Sequence, residues 1–229
     1  MSTANQELTA FRRTASALSG GRSGNRVHDM ILRMCAAHGL AGRVCDLGAG
    51  KGDLLKVLSP RHPEADFTGI DLMERPDDID PRIGWHTCDL NDHQPVVEPF
   101  DTVICCETIE HLENPRATMR LCHRLLKPGG RLILSTPNNE SIRSYVSLVL
   151  GGHFADFRGS SYPAHITALL RLDLLRLCEE AGFTRPTFHY TDYGGIPGSP
   201  HRTWQWLSLG LLRGRLFSDN VGLVAERCR

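Results

Sequence analysis

The sequence predicts an α/β fold, a doubly wound and mostly parallel sheet with helices on both faces, from three observations. Short apolar segments alternate with segments of helical periodicity through about the first 140 residues. A glycine-rich turn separates the first predicted strand from a helix. Acidic residues follow the ends of successive predicted strands. With 229 residues, the chain is long enough for one such domain with insertions.

The first half of the chain carries the strand and helix signals in alternating order. Apolar residues at helical spacing predict a helix over 26–38, which ends at Gly39. Another helix is predicted over 114–126, before the turn sequence Lys-Pro-Gly-Gly at 127–130. Strands are predicted at residues 43–47, 67–70, 84–87, 100–105 and 131–135. This alternation indicates parallel strands joined by right-handed crossovers.

The second half of the chain has a less regular pattern. Helices are predicted at 141–150 and 169–178, and strands at 187–190 and 221–226. Between the two helices, residues 151–165 form a long loop of the kind that often serves as a functional lid.

The ends of the chain define the predicted domain. Residues 1–25 are polar and are expected to form a tail or a helix. The remaining residues, 26–229, are then predicted to be a single domain with an insertion at about 137–168.

The segment 204–212 is unusually apolar and is flanked by Arg202, Arg213 and Arg215. We expect it to pack in the core. The alternatives are a contact in a homodimer and a surface that meets a lipid-linked acceptor.

Composition excludes several classes of protein. The formal net charge is zero, and no basic stripe is present, so no nucleic-acid partner is predicted. No apolar run reaches 18 residues, so no membrane-spanning helix is expected. The eight cysteines include no C-x-x-C pair, and several fall inside predicted elements, which favours a core role. A reducing, cytoplasmic location follows as an expectation.

The glycine-rich turn at 48–52 has an acidic residue, Asp46, at the end of the strand before it. A helix N-terminus attracts anions, and a carboxylate beside it repels phosphate. A ligand with a nucleoside and a cationic amine but no phosphate suits this turn better than a dinucleotide. S-adenosylmethionine is such a ligand, and it is the predicted cofactor.

Further residues at the strand ends offer partners for one nucleoside ligand. Glycines let the backbone approach the ligand, Asp71 can accept hydrogen bonds from ribose hydroxyls, and Leu72 can pack on adenine. Asp89 can accept from the adenine amino group, with the Leu90 amide beside it. The predicted cofactor-binding residues are Arg26, Asp46, Gly48, Ala49, Gly50, Gly52, Asp71, Leu72, Asp89, Leu90, Cys106 and Glu107.

Two other interpretations of these residues agree less well with the sequence. Glycines and aspartates can be plain turn and cap residues, but turns do not require an acid at every successive strand end. A nicotinamide-dependent oxidoreductase requires a third spaced glycine where this chain has Asp53, and no tyrosine here begins a Y-x-x-x-K motif. We therefore reject the oxidoreductase.

Taken together, the motifs resemble those of the class I S-adenosylmethionine-dependent methyltransferases, in the ubiquinone-biosynthesis O-methyltransferase-like branch. The matching segments are 46–52 (DLGAGKG), Asp71, 88–90 (CDL), 107–112 (ETIEHL) and 126–130 (LKPGG). The resemblance covers roughly residues 26–140. It implies a Rossmann-like, seven-stranded, mostly parallel sheet with helices on both faces and an antiparallel last strand.

The resemblance also implies that the E-x-x-E-H segment at 107–111 lines the acceptor pocket. Glu107, Glu110, His111 and the more distant His165 are the predicted catalytic residues, with His111 as the candidate general base. No bound metal is predicted. One alternative is a divalent metal held by the same four residues. Another is that Glu110 only complements a helix dipole.

The predicted acceptor is a small molecule that offers an oxygen nucleophile. A [DN]-P-P-[YF] motif and a Pro-Cys pair, which DNA methyltransferases use, are both absent. Residues 136–139 and the loop 151–165, with His153, Phe154, Phe157, Arg158 and Tyr162, are expected to complete the acceptor pocket. Alternatives are a lipid-linked, sugar or RNA acceptor, or a non-catalytic cofactor-binding subunit.

Overall fold

A computed structural model describes residues 3–228, so Met1, Ser2 and Arg229 at the ends of the predicted segments lie outside the described residues. The helices are α1 (Thr3–Ser19), α2 (Asn25–His38), α3 (Asp53–Leu58), α4 (Pro115–Leu125), α5 (Ile142–Gly151), α6 (Arg171–Glu180) and α7 (Trp204–Leu207). The strands are β1 (Arg43–Leu47), β2 (Asp66–Asp71), β3 (Gly84–Thr87), β4 (Phe100–Cys106), β5 (Leu126–Pro137), β6 (Thr187–Tyr190), β7 (Gly195–Ile196), β8 (Ser199–Thr203) and β9 (Asn220–Glu226).

Seven strands form one sheet in the order β3-β2-β1-β4-β5-β9-β6. Strands β1 to β5 pair in parallel, and β9 runs antiparallel between β5 and β6. The predicted seven-stranded, mostly parallel sheet with an antiparallel last strand is therefore confirmed. Strand order reverses beside β1, because the chain runs from β1 to β2 on one side and returns to β4 on the other. A crevice for a ligand opens at such a reversal.

Helices cover both faces of the sheet because successive strand residues point to opposite sides. On one face, Cys45 and Val103 join a core with residues of α4 and α6. On the other, Val44 and Ile104 pack with residues of α2 and α3. The strand residues on both faces are almost fully buried, as the continuous apolar runs in the sequence predict.

Strand β5 includes the segment that was predicted as a turn. Leu126 pairs with Phe100 of β4, and pairing then resumes with Arg131 opposite Thr102. The four residues 127–130 bulge out of the ladder between these pairs, with Gly129 at a φ of +76°. The Lys-Pro-Gly-Gly sequence thus makes its turn without ending the strand pairing.

The structure contradicts the expected core packing of the segment 204–212. Trp206 and Leu207 of α7 are 62% and 59% exposed, and Leu209 and Leu211 after it are 94% and 85% exposed. Arg202 stacks on Trp206, with its guanidinium carbon 5.2 Å from the ring centre. The short hairpin of β7 and β8, which the sequence did not predict, ends where α7 begins and carries the segment away from the core.

Most of the cysteines lie in the core, as predicted. All eight cysteines fall within residues 3–228, and all are free, six of them buried. Across the same residues, none of the helices combines the length and the apolar character needed to cross a bilayer.

Candidate cofactor and acceptor site

A cavity of about 690 Å³ lies at the carboxyl ends of β1, β2 and β4. Its volume is within the usual range for small-molecule sites. The cavity is continuous from α1 and the glycine-rich turn at one end to the loop residues 162–166 at the other. It therefore brings the predicted cofactor residues and the predicted catalytic residues to one space.

Glycine is required at two positions of the turn that borders the cavity. Gly48 has a φ of +80°, and a Cβ there would lie 2.3 Å from the side chain of Thr108. Gly50 has a φ of +54°, and a Cβ there would lie 2.4 Å from the carbonyl oxygen of Gly21. Both, with Ala49, line the cavity. Gly52 lies outside the cavity lining; it has a φ of +70°, and a Cβ there would lie 2.6 Å from the side chain of Ile79.

Asp46 lies in the cavity wall and is only 2% exposed. Its Oδ1 atom is buried and has no hydrogen-bond partner. Desolvation by burial, and then the neighbouring charge of Asp71, raise the pKa of Asp46 to about 7. A buried carboxylate oxygen without a partner fits a ligand that carries a cation or a hydrogen-bond donor. S-adenosylmethionine carries both, so the residues present fit this cofactor.

Asp71 at the end of β2 shapes the turn as well as the cavity. Its Oδ2 accepts a hydrogen bond of 2.7 Å from the Gly50 amide, and its Oδ1 accepts one of 2.7 Å from the Met73 amide. Burial raises the pKa of Asp71. Each carboxylate oxygen keeps a second lone pair, so Asp71 can also accept from ribose hydroxyls. Leu72 beside it lines the cavity.

Asp89 and Leu90 also line the cavity, but Asp89 has a partner that the sequence did not indicate. Arg12 of α1 donates to Asp89 Oδ2 over 3.1 Å. The Asn91 amide donates to Asp89 Oδ1 over 3.0 Å. Arg26 borders the cavity too, with its guanidinium carbon 4.6 Å from the ring centre of Tyr193.

Cys106 and Glu107, at the end of β4, border the cavity where it turns toward the loop. Glu107 has a φ of +50°, unusual for a residue with a side chain. Ser135 and Asn220 donate hydrogen bonds of 2.9 and 2.7 Å to its two carboxylate oxygens. Desolvation by burial raises the pKa of Glu107 to about 7. The carboxylate of Glu107 is thus bound by residues of β5 and β9.

Three of the four predicted catalytic residues meet on the acceptor side. Ligand atoms of Glu110, His111 and His165 lie within 4.8 Å of one another. Glu110 comes from the 3-10 turn after β4 and is fully buried, with Oε1 unpaired and Oε2 accepting from Thr136. His165 comes from the loop after α5, and the two imidazole ring centres are 4.8 Å apart.

The hydrogen bonds of the two histidines define which ring nitrogen carries the proton. His111 Nδ1 lies 2.8 Å from the carbonyl oxygen of Ala164, and His165 Nδ1 lies 2.7 Å from that of Asp156. A carbonyl oxygen can only accept, so each Nδ1 is a donor, and each neutral ring has its lone pair on Nε2. Burial lowers the pKa of His111 to about 4, so it is neutral at pH 7.

This cluster also fits a divalent metal. Metal-binding histidines commonly donate their other ring nitrogen to a carbonyl, as both do here, and the unpaired Glu110 Oε1 is a hard oxygen ligand. Glu107 does not belong to the group formed by Glu110, His111 and His165. Of the four residues in the alternative metal site that the sequence suggests, the described part of the chain therefore brings three together.

The loop predicted to complete the acceptor pocket contributes only in part. Tyr162 lines the cavity, whereas His153, Phe154, Phe157 and Arg158 do not contribute to its lining. Within the stretch 136–139, Pro137 lines the cavity. Asn138 and Asn139 are instead 2% exposed and donate to backbone carbonyls of other segments.

Sequence patterns missed several cavity residues. Arg143 of α5 pairs with Asp219 over 3.3 Å and with Asp156 over 3.6 Å at the acceptor end. Arg12, on the polar N-terminal segment, lies at the other end. Neither stands in a recognisable motif, because each reaches the cavity through contacts between distant parts of the chain.

The chain is similar in sequence to known methyltransferases. A profile described as the methyltransferase domain matches residues 20–185. A ubiquinone biosynthesis O-methyltransferase of Pseudomonas aeruginosa is 32% identical over 165 residues, covering 64% of this chain and 70% of that protein. A protein of the same name from Dechloromonas aromatica is 38% identical over 125 residues, covering 50% and 53%.

Solved structures share the fold. A SAM-dependent methyltransferase from Archaeoglobus fulgidus has a TM-score of 0.62 at 17% identity, covering 88% of this chain and 93% of that one. The 1,6-didemethyltoxoflavin-N1-methyltransferase of Burkholderia thailandensis, solved with S-adenosylhomocysteine, has a TM-score of 0.61 at 16% identity, covering 100% and 92%. The chain belongs to the methyltransferase domain family and is a class I S-adenosylmethionine-dependent methyltransferase.

Proposed function

We propose that the protein methylates a hydroxyl oxygen of a small molecule. The observation that carries this proposal is the Glu110–His111–His165 cluster, which shares one cavity with Asp46 and Asp71. A hydroxyl must lose its proton when its oxygen is methylated, and this cluster offers nitrogen lone pairs and an unpaired carboxylate oxygen for that purpose. The relatives named ubiquinone biosynthesis O-methyltransferase support an oxygen acceptor and suggest quinone precursors as the first class to assay.

The residues divide into two roles in this mechanism. When bound, S-adenosylmethionine would supply an electrophilic methyl group for the acceptor oxygen, with its sulfur as the leaving group that keeps the electron pair of the broken C–S bond. Asp46, Asp71 and the glycine-rich turn would hold the cofactor at one end of the cavity. His111 or His165 would take the hydroxyl proton on Nε2, and the Nδ1 hydrogen bonds keep each ring oriented for this.

The low pKa of His111 favours help from a metal in this step. A histidine with a pKa of about 4 is a weak base at neutral pH. Glu110, His111 and His165 would hold a divalent metal, whose charge would favour the ionised form of an acceptor hydroxyl. We propose this metal as the alternative to direct general-base catalysis.

An assay with labelled S-adenosylmethionine and a panel of catechols and hydroxylated quinone precursors tests the proposal. We expect His111→Ala and His165→Ala each to lower kcat by about 10²–10⁴. His201→Ala, at an exposed residue of the β7–β8 hairpin, is the matched control and should behave as wild type. Full activity of His111→Ala would remove this residue from the mechanism.

Chelation separates the two versions of the mechanism. Activity that disappears on dialysis against EDTA and returns with Mg²⁺, Mn²⁺ or Zn²⁺ supports the metal. Insensitivity to the chelator leaves the two histidines as the direct proton acceptors. Cofactor binding without methyl transfer to any acceptor in a metabolite screen would favour the other class of function, a cofactor-binding partner subunit.

The exposed segment 204–212 favours a lipid-linked form of the acceptor as a second candidate. Gly194 exchanges hydrogen bonds with α7: its amide donates to Gln205 Oε1 and its carbonyl accepts from Trp204. This anchors α7 next to Tyr193, which lines the cavity. Exposed apolar side chains flanked by arginines are suited to an anionic interface. Liposome co-sedimentation of the wild type and of Leu209→Glu tests this second candidate. The absence of liposome binding by the wild type would exclude it.

A further inference from the structure

Helix α1 covers one end of the cofactor cavity. Phe11, Arg12, Ala15 and Ser16 all line the cavity beside Asp89 and Leu90. Among the α1 side chains that the structure describes, at residues 7–16, Arg12 is the buried one, at 8% exposure. Leu8 and Phe11 on the same helix are 40% and 51% exposed. Over residues 7–16, the buried attachment of this helix to the domain is therefore a charged side chain.

Arg12 reaches three carboxylates on two different loops. It pairs with Glu113 through two parallel bonds, Nε to Oε1 at 2.8 Å and Nη2 to Oε2 at 3.0 Å. Its Nη1 donates to Asp89 at 3.1 Å and also to Asp92. Bidentate arginine–carboxylate pairs combine strength with a defined orientation. Because these acids follow β3 and the turn after β4, the single side chain of Arg12 links α1 to both loops.

The chain continues from α1 across the glycine-rich turn. The carbonyl oxygen of Gly21 accepts a hydrogen bond of 3.0 Å from the Lys51 amide, and Arg22 pairs with Asp53 over 3.4 Å. Together, residues 7–24 extend over the cavity from Asp89 to the turn at 48–52. The segment shared with the methyltransferase domain family begins at residue 20, so α1 precedes it.

We propose that α1 is a lid on the cofactor cavity and that Arg12 is the latch that closes it. Cofactor and product would exchange when the Arg12 contacts break and α1 moves away. The lid would therefore set how long the product S-adenosylhomocysteine stays bound. Enzymes commonly use such closing segments to exclude water and to control product release. This proposal concerns cofactor exchange and does not depend on which acceptor is methylated.

The dissociation rate of S-adenosylhomocysteine from the full-length protein tests the latch. In stopped-flow displacement, we expect Arg12→Ala to release it about tenfold faster than wild type. Arg12→Lys, which keeps the charge but loses the bidentate geometry, should lie between the two. Arg13→Ala, at an exposed neighbour on the same helix, is the matched control and should keep the wild-type rate.

Hydrogen exchange tests the lid itself. Amides of α1 should be slowed by S-adenosylhomocysteine in wild type, and Arg12→Ala should exchange them faster while β1 to β5 stay protected. Should Arg12→Ala fail to fold, Glu113→Gln weakens the same latch from its exposed side and should also speed release. A folded variant, of Arg12 or Glu113, with wild-type release and wild-type α1 exchange would overturn the proposal.

Discussion

Burial, more than residue type, decides the chemistry of Asp46. Desolvation, with a contribution from Asp71, raises its pKa from 3.8 to about 7. The folded, ligand-free protein therefore binds this proton more tightly than the unfolded chain does. The resulting stabilisation is fully present below pH 3.8 and is lost as the pH rises through 7. The unpaired, buried carboxylate of Asp46 therefore lowers the stability of the ligand-free protein at neutral pH.

Asp46→Asn should remove that cost. At pH 8 we expect the ligand-free variant to be more stable than wild type, by up to about 4 kcal/mol, because no buried carboxylate must ionise. At pH 5 the difference should be smaller. Urea unfolding at the two pH values measures it. Equal stability of the two proteins at pH 8 would show that ionisation of the buried Asp46 does not destabilise the protein.

Cofactor affinity should have the opposite dependence on pH. A cationic cofactor favours the ionised Asp46, so affinity for S-adenosylmethionine should fall about tenfold per pH unit below 7 and level off above it. Calorimetry in buffers of different ionisation enthalpy should show proton release on binding near pH 7. Asp46→Asn should bind weakly, with this pH dependence lost. A variant that keeps the wild-type profile would assign the titration to another group.

At the scale of elements, the segment after β5 is fixed by two asparagines. Asn138 donates to the carbonyl oxygens of Arg215 and Ser218, and Asn139 donates to that of Leu169. The sequence predicts both in the acceptor pocket. Their buried amides instead join the end of β5 to the segment before β9 and to the start of α6. Pro137, the last residue of β5, remains at the cavity wall.

Asn138→Ala should therefore lower stability and leave binding intact. The buried carbonyl group of Ser218 and the partly buried one of Arg215 would lose their donor, which costs about 1–3 kcal/mol. Denaturant unfolding measures this loss, and Gln94→Ala, at an exposed residue, is the control. The Kd for S-adenosylhomocysteine should stay at the wild-type value. A changed KM for the acceptor with unchanged stability would return Asn138 to the acceptor pocket.

At the scale of the whole molecule, the fold brings acids from β1 and β2 and from the loop after β3 to one crevice. Strand order reverses beside β1, so these segments meet at the same edge of the sheet. The cavity there is lined by Asp46, Asp71 and Asp89, all at most 8% exposed. Such an acidic wall disfavours pyrophosphate and favours a cationic nucleoside, which is why a dinucleotide suits the site poorly.

Ligand-linked stability tests this selectivity. S-adenosylhomocysteine at a hundredfold excess over its Kd should stabilise the protein by about 2.7 kcal/mol. This corresponds to a rise in Tm of roughly 5–10 °C for a chain of this size. NAD at the same concentration should leave Tm unchanged. Asp71→Ala should lose the shift, and an undiminished shift in that variant would argue against the assigned cofactor site.

The cofactor half of the site was predictable because it is local. Asp46, Gly48 and Gly50 stand in one strand–turn–helix segment, and their spacing alone indicates a turn that approaches a ligand. The acceptor half was predictable only in part. The sequence indicated His111 and His165 as candidates, but their contact depends on a loop that folds back across the turn after β4. Glu107 shares the motif with His111, yet its backbone directs its carboxylate to Ser135 and Asn220.

By itself the sequence determined the order of the seven strands of the large sheet and of the helices between them, the alternation that buries both faces of this sheet, and the turn with its acids. These follow from periodicity and from the conformational demands of glycine, which act over a few residues. Only the tertiary structure decided that Arg12 pairs with Asp89 and Glu113, which lie 77 and 101 residues away, and that much of the segment 204–212 is exposed. Such contacts depend on how distant segments pack, and no local pattern encodes them.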